Sequence, residues 1–168
     1  IDHFAWRPHS FSNHFFNLKI FVMPIGIVRF GGNSFKNESH LRVFVEEIKK
    51  STQRRVVVVS AIPKIYEILS EMIVWLIGHS TDYQTIISDI QKEIQSIGII
   101  KETSTVLQKE IDQLEGLLNG IQFTGDYSEA LRDAVISFSE KISVQVLNAI
   151  LQLNRLDVSV FYPDELGF

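Results

Sequence analysis

The chain contains no cysteine among its 168 residues. It therefore has no disulfide framework, no thiolate metal ligand and no thiol nucleophile. This composition is typical of proteins that work in a reducing compartment. We expect a cytoplasmic protein.

A surplus of positive charge and a long apolar run are also missing. Lysine and arginine total 16 and the acidic residues total 20, which gives a net charge of -4 without a basic stripe. The longest apolar stretch, Ile20 to Phe30, is broken by Pro24 and Arg29 and is shorter than the roughly 20 residues of a membrane span. We expect neither a nucleic-acid partner nor a membrane partner.

Residues 1 to 22 differ from the rest, because they are rich in Phe and His, nearly lack acidic residues and precede Met23. We interpret them as an upstream or vector-derived extension before a natural start at Met23. A plastid transit peptide is the alternative. The spacing of the three histidines matches no metal-ligand pattern and predicts no metal site; they are His3, His9 and His14. Residues 23 to 168 have the size of one domain.

The first elements form a predicted β-α-β unit. The β-branched run Ile25 to Phe30 ends at two glycines and predicts a buried strand followed by a tight turn. A helix follows, capped by Asn33 or Ser34, with its apolar face at Leu41, Phe44, Val45 and Ile48. The uninterrupted run Val56 to Val59 indicates a central strand covered by helices on both faces.

The rest of the chain is predicted to be helical up to a third strand. Apolar stripes at helical spacing indicate a helix after Pro63, two more that begin near Tyr83 and Leu107, the second closing at Gly120, and two segments between Gly125 and Asp157. These stripes are typical of core packing. Val158, Val160 and Tyr162 then alternate as a strand.

This order of elements predicts an α/β fold, a three-layer α/β/α sandwich with a mainly parallel sheet. Ligands of such folds bind at the carboxyl ends of the strands. The loops around Gly31, Ser60 and Tyr162 are therefore expected along one edge.

Chemistry is expected first at Gly31 and Gly32. Two glycines between a strand and a helix allow a phosphate to approach the backbone amides, although the same pattern is often only a turn. The chain has no P-loop, no dinucleotide-binding fingerprint, no His-Glu-x-x-His and no G-x-S-x-G motif.

Three segments read together are more specific. They are Arg29-Phe30-Gly31-Gly32-Asn33-Ser34, Val56 to Ala61, and Phe138-Ser139-Glu140-Lys141-Ile142-Ser143. In this order they resemble the K-F-G-G-T-S, V-V-x-S-A and G-E-x-[LM]-S motifs of aspartate kinases, which belong to the amino-acid-kinase superfamily. The resemblance covers most of residues 23 to 168. Leu117 to Ile121 also resembles the bifunctional branch that carries homoserine dehydrogenase.

The resemblance implies transfer of the γ-phosphoryl group of ATP, with Mg²⁺, to the side-chain carboxylate of L-aspartate, the first step towards lysine, threonine and methionine. The acceptor carboxylate is ionised at pH 7, so the reaction needs positioning and charge neutralisation rather than a general base. The resemblance makes Arg29 the catalytic cation. It assigns phosphate binding to Gly31, Gly32, Asn33 and Ser34, and aspartate binding to Ser60, Ala61, Tyr66, Glu140 and Ser143.

Four positions depart from the family motifs. Arg29 replaces lysine, Asn33 replaces threonine, Ser139 replaces glycine, and Tyr66 stands where a substrate-binding threonine is expected. Ser139 would be strained if that glycine has a positive φ. Structural alternatives are Ser34 as a helix cap, Glu140 as an acid in the first turn of a helix, and Arg29 as a surface base.

Our first hypothesis is the N-terminal part of an aspartate kinase catalytic domain, followed beyond Phe168 by a nucleotide segment and ACT regulatory domains, in a homo-oligomer. The second is a degenerate relative that acts as a binding or assembly module. A kinase for another small acid or nucleotide is disfavoured by Ser60-Ala61 and by Glu140 to Ser143.

Overall fold

The computed structural model describes residues 25–78, 81–97, 105–125 and 128–167. Residues 1 to 22, with the three histidines and the predictions made for them, lie outside these residues. The described chain is α/β and mostly helical. Its elements are β1 (Gly26–Phe30), α1 (Glu38–Lys50), β2 (Arg55–Val59), α2 (Pro63–Ile77), α3 (Tyr83–Ser96), α4 (Thr105–Thr124) and α5 (Glu129–Leu153), with short 3-10 helices at Gly32–Lys36 and Pro163–Leu166.

The predicted β-α-β unit is confirmed. The strands β1 and β2 are parallel neighbours, with Gly26 opposite Arg55 and Phe30 opposite Val59, and α1 connects them. The predicted cap of α1 was wrong, because Asn33 and Ser34 lie in the preceding 3-10 helix. Asn37 caps the helix instead, since its side-chain oxygen accepts hydrogen bonds from the amides of Ser39 and His40.

The helices α2 to α5 build one hydrophobic core against the inner face of the sheet. Most residues of the predicted apolar stripes are buried, whereas Ala134 and Leu153, which also fall on these stripes, are exposed. The helix α5 contacts α2, α4 and β2. The stripe of α4 continues past Gly120, so that the helix ends at Thr124 rather than at the glycine. Fully buried side chains of the core include Leu41, Ile65, Leu69, Ile90, Leu107, Leu114, Ile142 and Val146.

The two helical segments predicted between Gly125 and Asp157 are one helix, α5. It is capped by the Ser128 hydroxyl, which accepts from the amide of Leu131, and it continues for 25 residues. No proline or glycine interrupts it, so its hydrogen-bonded ladder is unbroken. By length and hydropathy alone α5 is apolar enough to cross a membrane, but 61% of that stretch is buried inside the protein, as in a central core helix.

The sheet is covered on one face only in the described part of the chain. Phe30, Val57 and Val59 point towards the helices, whereas Ile27, Val56 and Val58 are 76%, 49% and 52% exposed. The expected coverage of β2 on both faces is therefore not present among these residues. They form two layers, a parallel sheet and the helices beneath it.

The predicted third strand is an extended segment that has no strand partner among the described residues. From Leu156 to Tyr162 exposure alternates as expected, with Leu156 and Val158 packed against the core and Phe161 pointing outwards. The segment forms no ladder with β1 or β2, the strands of the described residues. A strand needs a neighbouring backbone for its amide and carbonyl groups, and β1 and β2 pair only with each other.

One pair of variants tests the single covered face. Val58→Thr adds a hydroxyl on the exposed face and is expected to change the free energy of unfolding by less than about 0.5 kcal/mol. Val57→Thr places the same hydroxyl against the core and is expected to cost about 1 to 2 kcal/mol, because the group loses water without gaining a partner. Urea denaturation measures both. Equal losses would contradict the two-layer arrangement.

Candidate functional site

Arg29 and Ser60 meet at the edge where the two strands end. The Nε and Nη2 atoms of Arg29 both lie 3.4 Å from the Ser60 hydroxyl oxygen. The Ser60 amide donates to the Phe30 carbonyl at 3.0 Å, which extends the parallel ladder by one residue and fixes Ser60 beside β1. The loops after β1 and β2 therefore lie along one edge, as expected, whereas the contacts found for Tyr162, the third residue predicted there, are with Gln145 and Glu110.

The guanidinium of Arg29 carries an uncompensated charge within the described residues. Its side chain is exposed, and the ion pairs of this part of the chain involve other cations. Both contacts with Ser60 are longer than a typical charge-assisted hydrogen bond of 2.7–2.9 Å. The guanidinium is therefore available to an anion that binds at this edge.

The two glycines of the first motif differ in what they contact. A Cβ atom on Gly32 would lie 1.8 Å from the Ala61 carbonyl oxygen, so the backbones of the two loops touch here. A Cβ atom on Gly31 would meet nothing within 4 Å. Gly32 is thus required for packing between the loops, whereas the lack of a side chain at Gly31 leaves open space. Phosphate binding by Gly31, Gly32, Asn33 and Ser34 stays a prediction.

The third motif contacts the residue that follows the second motif, Ile62, through Ser143. Its hydroxyl accepts a hydrogen bond from the amide of Ile62 at 2.8 Å and donates to the Ser139 carbonyl at 2.6 Å. Both bonds are buried, and the side chain of Ser143 is fully inaccessible. A contact of this hydroxyl with aspartate stays a prediction, and both of its bonds in this structure are to the protein.

The structure excludes two alternatives considered for the third motif. Ser139 lies inside α5 with a helical backbone, so the strain expected from a positive φ does not arise. Glu140 lies near the middle of α5, which begins at Glu129, and is therefore not an acid of the first turn. Its side chain is exposed. Within the described residues the Glu140 side chain forms no hydrogen bond or ion pair. Tyr66, another predicted substrate residue, lies on the first turn of α2 and is 48% exposed.

The structure thus connects part of the predicted site by direct contacts. These contacts join Arg29 to Ser60, Gly32 to Ala61, and Ser143 to the amide of Ile62. Asn33, Tyr66 and Glu140 are exposed. A cavity of about 460 Å³ between α1 and the end of α5 is a separate feature, because none of the candidate residues lines it.

A buried polar cluster was missed in the sequence. The Tyr162 hydroxyl donates to the Glu110 carboxylate at 2.9 Å and accepts from the Gln145 side-chain amide at 2.7 Å. Gln145 in turn accepts from Asn148 at 3.0 Å, and the Lys141 ammonium lies 5.3 Å from the centre of the Tyr162 ring. The available signal was polar residues at buried positions of two apolar helices, α4 and α5.

The cluster ties the end of the extended segment to α4 and α5. Burial is the main reason why the pKa of Tyr162 is raised to about 12, while the hydrogen bond from Gln145 opposes the rise and Glu110 adds to it. The phenol is therefore neutral and able to donate over the physiological range. Lys141, which follows Glu140 directly, is held against this ring and that of Phe138.

The described residues offer no ready-made cage for a divalent cation. No group of three or more histidine, aspartate or glutamate side chains comes together among them in a way that could hold a metal ion. Mg²⁺ in phosphoryl-transfer sites is held by one or two carboxylates together with the phosphates of the nucleotide. The donor set of this part of the chain therefore does not fit a metal site built from protein ligands alone.

No family model matches the chain. Over 137 residues the chain is 25% identical to the bifunctional aspartokinase/homoserine dehydrogenase 1, chloroplastic, of Arabidopsis thaliana. The matched region covers 77% of this chain and 15% of that protein. Over 148 residues it is 26% identical to the bifunctional aspartokinase/homoserine dehydrogenase of Buchnera aphidicola, covering 82% and 18%. The Daucus carota chloroplastic protein of the same name is 23% identical over 139 residues, covering 78% and 15%.

These similarities support a region related to part of the bifunctional aspartokinase/homoserine dehydrogenases. The chain spans only 15% to 18% of the length of these relatives.

The two glycines provide a matched test of the site's backbone. Gly32→Ala is expected to cost at least about 1 to 3 kcal/mol of unfolding free energy, because its methyl group would overlap the Ala61 carbonyl. Gly31→Ala meets no neighbour and is expected to leave stability unchanged or slightly raised. Thermal and urea denaturation distinguish the two, and an unchanged stability of Gly32→Ala would contradict the contact between the loops.

Tyr162→Phe tests the polar cluster. Removing the hydroxyl leaves the Glu110 carboxylate and the Gln145 amide without this partner, at an expected cost of about 1 to 3 kcal/mol near neutral pH.

The same variant tests the raised pKa. Because the phenol loses its proton less readily in the folded chain, its stabilisation is complete below pH 10.0, its ordinary value, and is lost as the pH rises to about 12. The natural chain should therefore lose more unfolding free energy over this interval than Tyr162→Phe does. Lysine titration is common to both proteins and cancels in the difference. Parallel alkaline profiles would contradict the assignment.

Proposed function

We propose that this chain is the aspartate-binding part of an aspartate kinase domain, which transfers the γ-phosphoryl group of ATP to the side-chain carboxylate of L-aspartate. One observation carries the proposal. The first two motif segments meet at the carboxyl edge of a parallel sheet, through the contacts of Arg29 with Ser60 and of Gly32 with Ala61, and Ser143 of the third segment binds the amide of Ile62, the residue that follows the second. The names of the relatives agree with this chemistry.

The reaction brings together two anions, so its main requirement is positive charge at the point of transfer. The acceptor carboxylate has an ordinary pKa near 4 and is already ionised at pH 7, so no general base is needed. Arg29 supplies the cation. Its guanidinium is exposed, has no carboxylate partner among the described residues and lies beside Ser60. It stabilises the phosphoryl oxygens as the new bond to the carboxylate forms.

The remaining residues orient the substrates. The Ser60 hydroxyl suits the α-carboxylate of aspartate, and the exposed carboxylate of Glu140 suits its ammonium group. The open space at Gly31, with Asn33 and Ser34 following, suits the terminal phosphate. When bound, Mg²⁺ neutralises phosphate charge, and the described residues leave its coordination mainly to the nucleotide.

We propose further that the complete domain is a three-layer sandwich of the amino-acid-kinase type. Support comes from the exposed apolar face of the sheet, formed by Ile27, Val56 and Val58. Parallel sheets are normally buried on both faces. Helices of the remaining kinase domain would cover this face. The same proposal includes a nucleotide-binding segment, regulatory domains, a dehydrogenase and a homo-oligomeric assembly.

A non-catalytic binding module is the second candidate. The orientation of Arg29 favours this candidate, because two guanidinium nitrogens face the Ser60 hydroxyl. Two groups that are expected to bind ligands therefore contact each other. A planar guanidinium also differs from the compact ammonium of lysine in how it binds a phosphoryl group. Such a module would bind L-aspartate without phosphorylating it.

The test uses the natural full-length protein and measures aspartyl hydroxamate formed from L-aspartate, ATP and hydroxylamine. Arg29→Ala is expected to lower kcat roughly 100-fold or more, since it removes charge stabilisation of the transition state. Arg29→Lys keeps the charge and is expected to retain activity. Arg42→Ala removes another exposed arginine, paired with Glu38 on α1, and serves as the control that leaves activity unchanged.

Full activity of Arg29→Ala would contradict the role of the cation. Binding of L-aspartate with no hydroxamate in either the natural protein or Arg29→Lys would favour the binding module. The 168-residue chain alone is expected to form no hydroxamate, because it spans only 15% to 18% of the bifunctional relatives.

A further inference from the structure

The start of α2 has no cap from its own side chains. The helix begins at Pro63, directly after the loop that leaves β2, and its N-cap residue is Ile62. The first amides of a helix have no partner within it, and a serine, threonine, aspartate or asparagine normally accepts from one of them. Ile62 has no such group and is completely buried, so its amide also has no access to water.

Ser143 of α5, 81 residues away, supplies an acceptor for the amide of the N-cap residue Ile62 itself, rather than for the second or third helical amide that a capping side chain normally serves. Its hydroxyl hydrogen is committed to the Ser139 carbonyl at 2.6 Å, which turns the oxygen lone pairs towards the Ile62 amide at 2.8 Å. Because Ser143 is fully buried, water does not compete for either bond. This hydrogen bond fixes the start of α2 to the middle of α5.

The bond also fixes the loop that carries the candidate substrate residues. Ile62 follows Ser60 and Ala61 directly, and the Ala61 carbonyl rests against Gly32. The loop is therefore held from one side by the first motif and from the other side by Ser143. We therefore expect a movement at Ile62 to change the position of the Ser60 hydroxyl relative to Arg29.

We propose that Ser143 is a positioning residue, which caps α2 from α5 and sets the geometry of the Ser60-Ala61 loop without touching the ligand. Its effect on substrate rests on the proposed function, whereas the cap itself does not. Ser139 supplies a matched control. It lies one helical turn earlier, is 1% exposed, and its hydroxyl has no hydrogen-bond partner among the described residues.

The experiment measures amide hydrogen exchange and amide chemical shifts by NMR on the 168-residue chain. In the natural chain the Ile62 amide is expected to be protected, whereas the Lys64 amide in the first turn of α2 has no intrahelical partner and exchanges fast. In Ser143→Ala, exchange at Ile62 is expected to accelerate about tenfold or more relative to Ile87 in the core of α3, and the amides of Ser60 and Ala61 shift. Ser139→Ala should change neither.

Ser143→Thr is the conservative variant, because threonine hydroxyls in helices bond the carbonyl of the preceding turn. It is expected to restore most of the protection at Ile62. If Ser143→Ala does not fold, the cap is tested by comparing the exchange rates of the Ile62 and Lys64 amides in the natural chain and in Ser143→Thr. An unprotected Ile62 amide in the natural chain, or equal acceleration at Ile62 and Ile87 in Ser143→Ala, would overturn the cap.

A second measurement joins the cap to the substrate. In the natural full-length protein, Ser143→Ala is expected to raise KM for L-aspartate about tenfold and to leave KM for ATP unchanged, and Ser139→Ala should alter neither. An unchanged KM for L-aspartate would overturn the positioning role even if the cap is present. Failure of the natural protein to use or bind L-aspartate would instead overturn the proposed function. The positioning of the loop would then still be tested by amide exchange at Ile62 and by the amide chemical shift of Ser60.

Discussion

The need of buried polar groups for hydrogen-bond partners organises this structure around α5. The helix carries Ser143, Gln145 and Asn148 inside the core, where an unpaired donor or acceptor is costly. Ser143 is paired with the start of α2, and Gln145 with the end of the extended segment, whereas the Ser139 hydroxyl and the Asn148 side-chain oxygen have no partner among the described residues. The apolar stripes account for the association of the helices, and these polar contacts join particular ends of the elements.

Much of the fold follows from periodicity, because the pattern of apolar residues is local. The stripes of α1 to α4 and the two β-branched runs correspond to the observed elements. The wrong predictions arose where two neighbouring residues could both cap a helix, or where a structure depends on a partner that is distant in the sequence. Asn37 outcompetes Asn33 and Ser34 as the cap of α1, and nothing in the sequence near Ser139 ends the helix that the pattern divided in two. Whether Val158 and Val160 form a strand depends on a neighbouring backbone, which alternation does not reveal.

The candidate site was predictable to the extent that topology decides it. Parallel strands end at the same edge, so Arg29 and Ser60 were expected together and are found in contact. The partner of Ser143 was not predictable, because it is a backbone amide and any residue type at position 62 other than proline would supply one. The Tyr162 cluster was missed for a similar reason, since its members are scattered over α4, α5 and the extended segment. Motifs show which residues belong together, and packing determines whether they contact a ligand or the protein.

The backbone contact between Gly32 and Ala61 has a mechanical consequence. Two peptide backbones in direct contact have no side chain between them that can change rotamer, so a displacement of one is passed to the other with little loss. The spacing between the loop that begins at Gly31 and the loop that carries Ser60 is therefore set by backbone atoms, and a larger residue at position 32 could be accommodated only by moving the two loops apart.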